Sequence, residues 1–167
     1  SWTYRAQYGF NSSILLPANL YGPNDNFDLE KSHVVPALIR KFLDAKQNNI
    51  PLVEVWGTGT ATREFLYVED TAQAILDVAE KFDHSGPLNL GTGVETSIKE
   101  LVETIVDLIK YEGHVVWNTD RPDGQPRRFY CMERFRKHMG YVPSTSLREG
   151  LQKTIDWYLN STDKKRL

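Results

Sequence analysis

Apolar residues in this chain switch repeatedly between short continuous or alternating runs and a spacing of three and four. That alternation limits the folds open to it. Ser13-Ile-Leu-Leu-Pro-Ala-Asn is continuous and short, as in a strand of a parallel sheet buried on both faces, with Pro17 at or beyond its end. Tyr21-Gly-Pro-Asn-Asp-Asn is dense in turn formers and predicts a loop. From Ser32, a candidate N-cap, the period becomes helical through Val34, Val35, Leu38, Ile39 and Phe42, with Pro36 near the first turn. Leu52–Trp56 alternates like a half-buried strand, and Arg63–Val68 predicts another after a Gly57–Thr62 loop.

The same alternation fills the rest of the chain. Asp70 is a candidate cap for a helix over 71–82 with Ala72, Ile75, Leu76 and Ala79 inward. Pro87–Leu90 predicts a strand. Ser97 and Glu100 form a capping box for a helix carrying Ile98, Leu101, Ile105, Leu108 and Ile109. His114–Trp117 predicts a strand, and Asp120–Arg128, with two prolines and a glycine, a loop. Two helices follow, Cys131–Met139 stopped by Gly140, and Ser146–Leu159 with Leu147, Leu151, Ile155 and Trp157/Tyr158 inward. At the N-terminus, Ser1–Gly9 reads as a helix end with Trp2, Ala6 and Tyr8 inward and Gly9 left-handed. Lys164-Lys-Arg reads as a frayed tail. The fold class is α/β.

Composition excludes several partners. A net charge of −2 gives no bulk attraction to nucleic acid or an anionic membrane. No apolar run approaches the roughly 20 residues of a membrane span. The single cysteine, Cys131, cannot form an internal disulfide and fits a reducing, cytoplasmic compartment. Two Gly-Thr-Gly triplets, Gly57–Gly59 and Gly91–Gly93, lack the third glycine of a dinucleotide fingerprint and read as turns. No metal-ligating cluster is legible.

Chemistry-bearing residues gather between Pro17 and Phe65. His33 follows a candidate cap, where the positive end of a helix dipole favours neutral imidazole, which can both accept and donate a proton. Position alone favours a surface or capping histidine. The rigid fork of Arg63 suits a diphosphate, or an ion pair with Glu64 or Asp70. Arg40 and Lys41 reach toward an anion or simply face water. Trp56 stacks on a base or sugar, or fills the core. Asp123, Arg127 and Arg128 lie on a mobile-looking loop that could close over a ligand or face solvent.

Three stretches resemble a known family: Pro17-Ala-Asn-Leu-Tyr-Gly-Pro-Asn-Asp-Asn-Phe, Ser32-His-Val-Val-Pro-Ala-Leu-Ile-Arg-Lys, and Val55-Trp-Gly-Thr-Gly-Thr-Ala-Thr-Arg-Glu-Phe-Leu-Tyr-Val-Glu-Asp. They are similar to the GDP-L-fucose synthases, of the extended short-chain dehydrogenase/reductase superfamily. The runs Asp25-Asn-Phe with Ser32–Leu38, and Arg121–Arg128, are the specific ones. Other sugar-nucleotide epimerases and dehydratases share the rest.

The resemblance implies epimerisation of a GDP-4-keto sugar at C3 and C5, then reduction at C4 by NADPH. It implies His33 as the catalytic acid–base, beside the nicotinamide together with Pro17, Ala18, Asn19 and Leu20. It implies Lys41, Trp56, Arg63 and Asp123 as contacts to the GDP-sugar, with Lys41 standing where the family carries arginine. It implies the C-terminal part of a Rossmann fold, residues 1–22 and about 66–93 completing the sheet edge and the remainder forming a small α/β substrate domain. The NADP-binding half, with the fingerprint, the catalytic Ser and Tyr-x-x-x-Lys and a second acid–base cysteine, is expected upstream. The expected partners are therefore that half, a GDP-sugar and, in the full-length enzyme, a second copy. No cofactor is expected to bind tightly to this portion, which is expected to be inactive alone. The alternatives are another NAD(P)-dependent sugar-nucleotide epimerase or dehydratase, and a non-catalytic binding or interaction module.

Overall fold

The computed structural model describes residues 2–161, so the Lys164–Arg166 run lies outside the described part. Helix α1, Trp2–Tyr8, is closed by Gly9 at φ +64 as expected. Its predicted inward face is not inward: Trp2, Ala6 and Tyr8 are all exposed. Only Arg5 is tied down, donating to Asn11 and pairing with Asp83. No described element lies over the aromatic side chains, so they cannot be buried.

Strand β1, Ile14–Pro17, pairs in parallel with β6, Pro87–Leu90, over Ile14↔Pro87 to Pro17↔Leu90. Pro17 ends β1 as predicted. Burial on both faces is not realised. Ile14 and Leu15 are half-buried and Leu16 is exposed, because among the described strands β1 has a neighbour along one edge only. A short strand β2, Asn19–Tyr21, was not legible in the turn-rich sequence. It pairs in parallel with β5, Phe65–Tyr67.

Helix α2, Val34–Gln47, begins one residue later than predicted. His33, not Ser32, takes the extended cap position (φ −72, ψ 167), and its carbonyl receives Ala37 N–H at 3.1 Å. Ser32 instead donates its N–H to the Asp28 carbonyl, which draws it into the preceding turn. Val35, Leu38, Ile39 and Phe42 are buried as the period required, while Val34 is exposed.

Strand β3, Leu52–Trp56, buries Val53 and Val55 on one face and pairs in parallel with β8, His114–Asn118. The predicted strand over 63–68 is divided at Glu64 into β4, Thr62–Arg63, and β5. Strand β4 pairs antiparallel with β7, Thr96–Ser97. Helix α3, Val68–Lys81, starts before Asp70, which therefore cannot be its cap. The Asp70 carboxylate instead receives the Thr145 N–H and hydroxyl at 2.9 and 2.7 Å. Its buried stripe is Thr71, Ala74 and Val78; Ala72, Ile75, Leu76 and Ala79 are all exposed, which corrects the predicted face.

Helix α4, Ile98–Ile109, is capped by Ser97 Oγ accepting Glu100 N–H at 3.0 Å. Helix α5, Glu133–Met139, leaves Cys131 outside as an exposed free thiol and ends at Gly140. Helix α6, Leu147–Asn160, uses the same cap chemistry, Ser146 Oγ accepting Glu149 N–H.

Three of the four strand pairs are parallel and helices connect them, so the α/β class holds. Two cores result. One joins α2, α4 and α6 to β3, around Phe42, Leu101, Ile105 and Leu151. The other joins β6, α3 and α5, around Leu66, Val78, Leu88 and Phe135.

Candidate functional site

Where α2 begins and β2 ends, the chain opens a cavity of about 580 Å³. Its floor is Pro17, Ala18, Asn19 and Leu20, the crossing between the first two strands. Ala18 N–H donates to Leu90 O at 2.8 Å, and Asn19 donates from both its backbone N–H and its Nδ2 to Glu64 O at 3.2 Å. One wall carries His33, Val34 and Ile98; the other carries Trp56, Arg63 and Asp123. A smaller recess of about 230 Å³, lined by Tyr21–Asp25 and Val68, meets the cavity at Leu20 and His33.

Among the described residues the His33 side chain makes no hydrogen bond, including none to the helix it caps. The imidazole is thus left accessible on both nitrogens at the cavity wall. Arg63 donates Nη1 to Thr62 O at 2.7 Å and forms no ion pair with Glu64 or Asp70. The Glu64 carboxylate is taken by the Thr92, Gly93 and Tyr130 amides. Asp70 is engaged with Thr145.

Trp56 is 61 % exposed, which removes its reading as a core residue. Arg121 lies over its ring at 5.0 Å, holding the indole plane by a cation–π contact. Asp123 receives Thr58 N–H at 2.6 Å and Thr58 Oγ1–H at 2.8 Å. Those bonds, the backbone one first, hold its carboxyl below the usual carboxylate range. Gly57, at φ +83, faces the Asp123 carboxylate so closely that a Cβ would collide with it.

The Asp120–Arg128 loop, expected to be mobile, is stitched down. Thr62 N–H donates to Pro126 O at 2.9 Å and Arg128 N–H to Thr62 O at 3.2 Å. Arg127 forks onto Glu95 at 2.8 and 2.7 Å, and Thr62 Oγ1 adds a third donor. With Arg127 as the larger cause and Thr62 next, the Glu95 carboxyl falls to about 2.

Lys41 is not brought into this group. Its ammonium donates to Glu54 O at 2.5 Å, a contact on the β3 backbone, and it does not line the cavity. Sequence reading missed Val34 and Ile98 as cavity walls, because apolar residues in the first turn of a helix signal core. It also missed Glu64, fully buried. Its signal was a carboxylate directly before the apolar run Phe65-Leu-Tyr-Val.

A dinucleotide needs a wet cradle of backbone N–H groups for its phosphates. Neither Gly-Thr-Gly turn offers one. The Thr58 amide is taken by Asp123, and the Thr92 and Gly93 amides are taken by Glu64 at 2.5 and 2.7 Å. Among the described residues no three His, Cys, Asp or Glu side chains are grouped to hold a metal ion, and no helix is long and apolar enough to cross a membrane.

Parallel strands feeding a cavity lined by an imidazole, a guanidinium and an exposed indole define an α/β protein with a candidate ligand site at its strand ends. Residues 1–91 match the NAD dependent epimerase/dehydratase family, and the chain belongs to that family. It is 43% identical over 158 residues to a probable GDP-L-fucose synthase 1 of Oryza sativa subsp. japonica, covering 95% of this chain and 48% of that protein. A GDP-L-fucose synthetase from Naegleria fowleri bound to NADP superposes with a TM-score of 0.86 at 30% identity, over 91% of this chain and 48% of the other. A GDP-6-OMe-4-keto-L-xylo-heptose reductase from C. jejuni superposes at 0.85 and 30%, over 94% and 56%. The chain thus spans about half the length of the curated relatives it matches.

Proposed function

We propose that this chain is the sugar-nucleotide-binding half of an enzyme of GDP-L-fucose synthase type. Its substrate would be GDP-4-keto-6-deoxy-D-mannose, epimerised at C3 and C5 and reduced at C4. One observation carries the reading: His33 and Arg63, 30 positions apart, line one cavity, and among the described residues the imidazole is unbonded and the guanidinium pairs with no carboxylate.

In this reading Arg63 grips the diphosphate by its fork, and Trp56, its plane fixed by Arg121, stacks on the base or sugar. The free lone pairs of Asp123 accept sugar hydroxyls. The 4-keto group acidifies the protons at C3 and C5. His33 takes or returns one such proton at an imidazole nitrogen, so inversion follows when the other face is served by a second group. Val34 and Ile98 narrow the cavity and exclude water from that transfer. When bound, NADPH would supply hydride to C4; Pro17, Ala18, Asn19 and Leu20 would hold its nicotinamide, and a partner half the rest of it. Lys41 has no part in this arrangement. Assembly as a homodimer of the full-length enzyme belongs to the same reading.

Calorimetry of GDP with the 167-residue chain tests it. Wild type binds, and Arg63→Ala weakens binding by about tenfold or more, the range for losing a charge-assisted fork. Equal binding by both would overturn the assignment of Arg63. The chain alone, given NADPH and the 4-keto substrate, gives no turnover; robust turnover would refute the division of labour. Likeness to the heptose reductase favours a second reading, reduction without epimerisation. Replacing His33 by alanine in the full-length enzyme separates the two, because only epimerisation loses solvent-proton exchange at C3 and C5.

A further inference from the structure

The mechanism above leaves one buried carboxylate unused. Glu64 has no exposed surface and no cationic partner among the described residues. Its Oε1 receives Thr92 N–H at 2.5 Å and Gly93 N–H at 2.7 Å, and its Oε2 receives Tyr130 N–H at 3.1 Å. Its own carbonyl receives both donors of Asn19. Gly91 packs against Oε1 so tightly that a Cβ has no room there.

The Gly91–Gly93 turn and Tyr130 meet at this side chain, and Asn19, on the cavity floor, meets its backbone carbonyl. Arg63, the preceding residue, lines the cavity. Tyr130 closes the loop that delivers Arg121 and Asp123. A carboxylate is the acceptor that matches three convergent N–H groups with none of its own to place. An amide at that position would turn one acceptor into a donor facing a donor, and a buried unmatched group is costly.

We infer that Glu64 is the positioning residue of the site. It fixes the Gly91–Gly93 turn and the Tyr130 end of the loop against the Asn19–Arg63 backbone, and so sets the spacing between floor and wall. The part that concerns ligand affinity rests on reading the cavity as a nucleotide-sugar site. The part that concerns geometry does not.

Amide hydrogen exchange and GDP calorimetry on Glu64→Gln test both parts. Exchange at Thr92, Gly93, Arg128 and Tyr130 is expected to rise about tenfold or more, with Ile105 and Ile109 in α4 unchanged, and GDP affinity to fall about tenfold. Retained protection at the turn and loop would overturn the inference. So would equal acceleration in α4, the mark of general destabilisation, or local loosening with GDP affinity intact. Should Glu64→Gln not fold, Gly91→Ala crowds the same carboxylate without changing its charge. It is expected to give the same local pattern, and a wild-type pattern there would overturn the inference. If wild type itself binds no GDP, the functional reading fails, and the exchange pattern alone decides the role of Glu64.

Discussion

Around Phe42 and Ile105, α2 packs on α4 and α4 on α6, with β3 and β8 closing the side. Around Leu66 and Leu88, α3 and α5 cover β6 and β1, but the outer surface stays apolar: Leu16, Ile75 and Leu76 are exposed and α1 buries nothing. The first region satisfies its own hydrophobic pattern. The second carries more apolar surface than its described neighbours can cover. Closure by the chain's own helices is what makes an amphipathic pattern readable; where the cover is not at hand, pattern and burial part company.

The sharpest test of this contrast is a cavity in the closed core. Phe42→Ala is expected to cost about 3–5 kcal/mol, because Phe42 is fully buried and the helices around it cannot collapse independently. Urea unfolding measures it, and a loss under about 1 kcal/mol would mean the region is as loosely covered as the other.

A smaller effect is expected with pH in the second region. His138 on α5 lies 4.5 Å from His84, ring to ring, with Phe82 edge-on. Burial first, then His84, Arg134 and Lys137, lower its ordinary pKa. The unfolded chain therefore takes up this proton more readily than the folded one. The contribution is complete above the unfolded value near about 6.5 and is lost as pH falls through the lowered folded value. Melting temperature should drop on acidification in wild type and drop less in His138→Gln; parallel profiles would show that the pair does not matter.

Smallest of all should be Leu76→Ser on the open face, within about 0.5 kcal/mol for this chain. A large loss of stability there would show that the exposed stripe of α3 is covered in solution and would erase the contrast.

Helix α3 also shows where sequence reading failed. Its 14 residues carry two apolar stripes, and period alone ranks Ile75 and Leu76 above Thr71 and Ala74. The structure chose the second stripe for two reasons. Thr71 returns its hydroxyl to Tyr67 O at 3.1 Å, so it can be buried at little cost, and Ala74 lets the helix approach closely. In α4 only one stripe exists, and both its cap and its buried face were legible. At the site, His33, Trp56, Arg63 and Asp123 were candidates on residue chemistry, and their roles came from likeness to a family; nothing in their spacing said they would share a cavity. Lys41 shows the limit of that likeness, since a nearby backbone carbonyl takes its ammonium.

By itself the sequence determined the alternation of strand and helix, the serine cap at 97, and the ends set by Gly9 and Gly140, because these depend on neighbours within a few residues. Only the tertiary structure decided which face of α3 is inside, that Glu64 turns its carboxylate inward onto three amides, and that the Asp120–Arg128 loop is held against Thr62. The last two depend on donors and acceptors brought in from 28 to 66 positions away in the chain, and the first on which neighbours pack against α3, neither of which local pattern encodes.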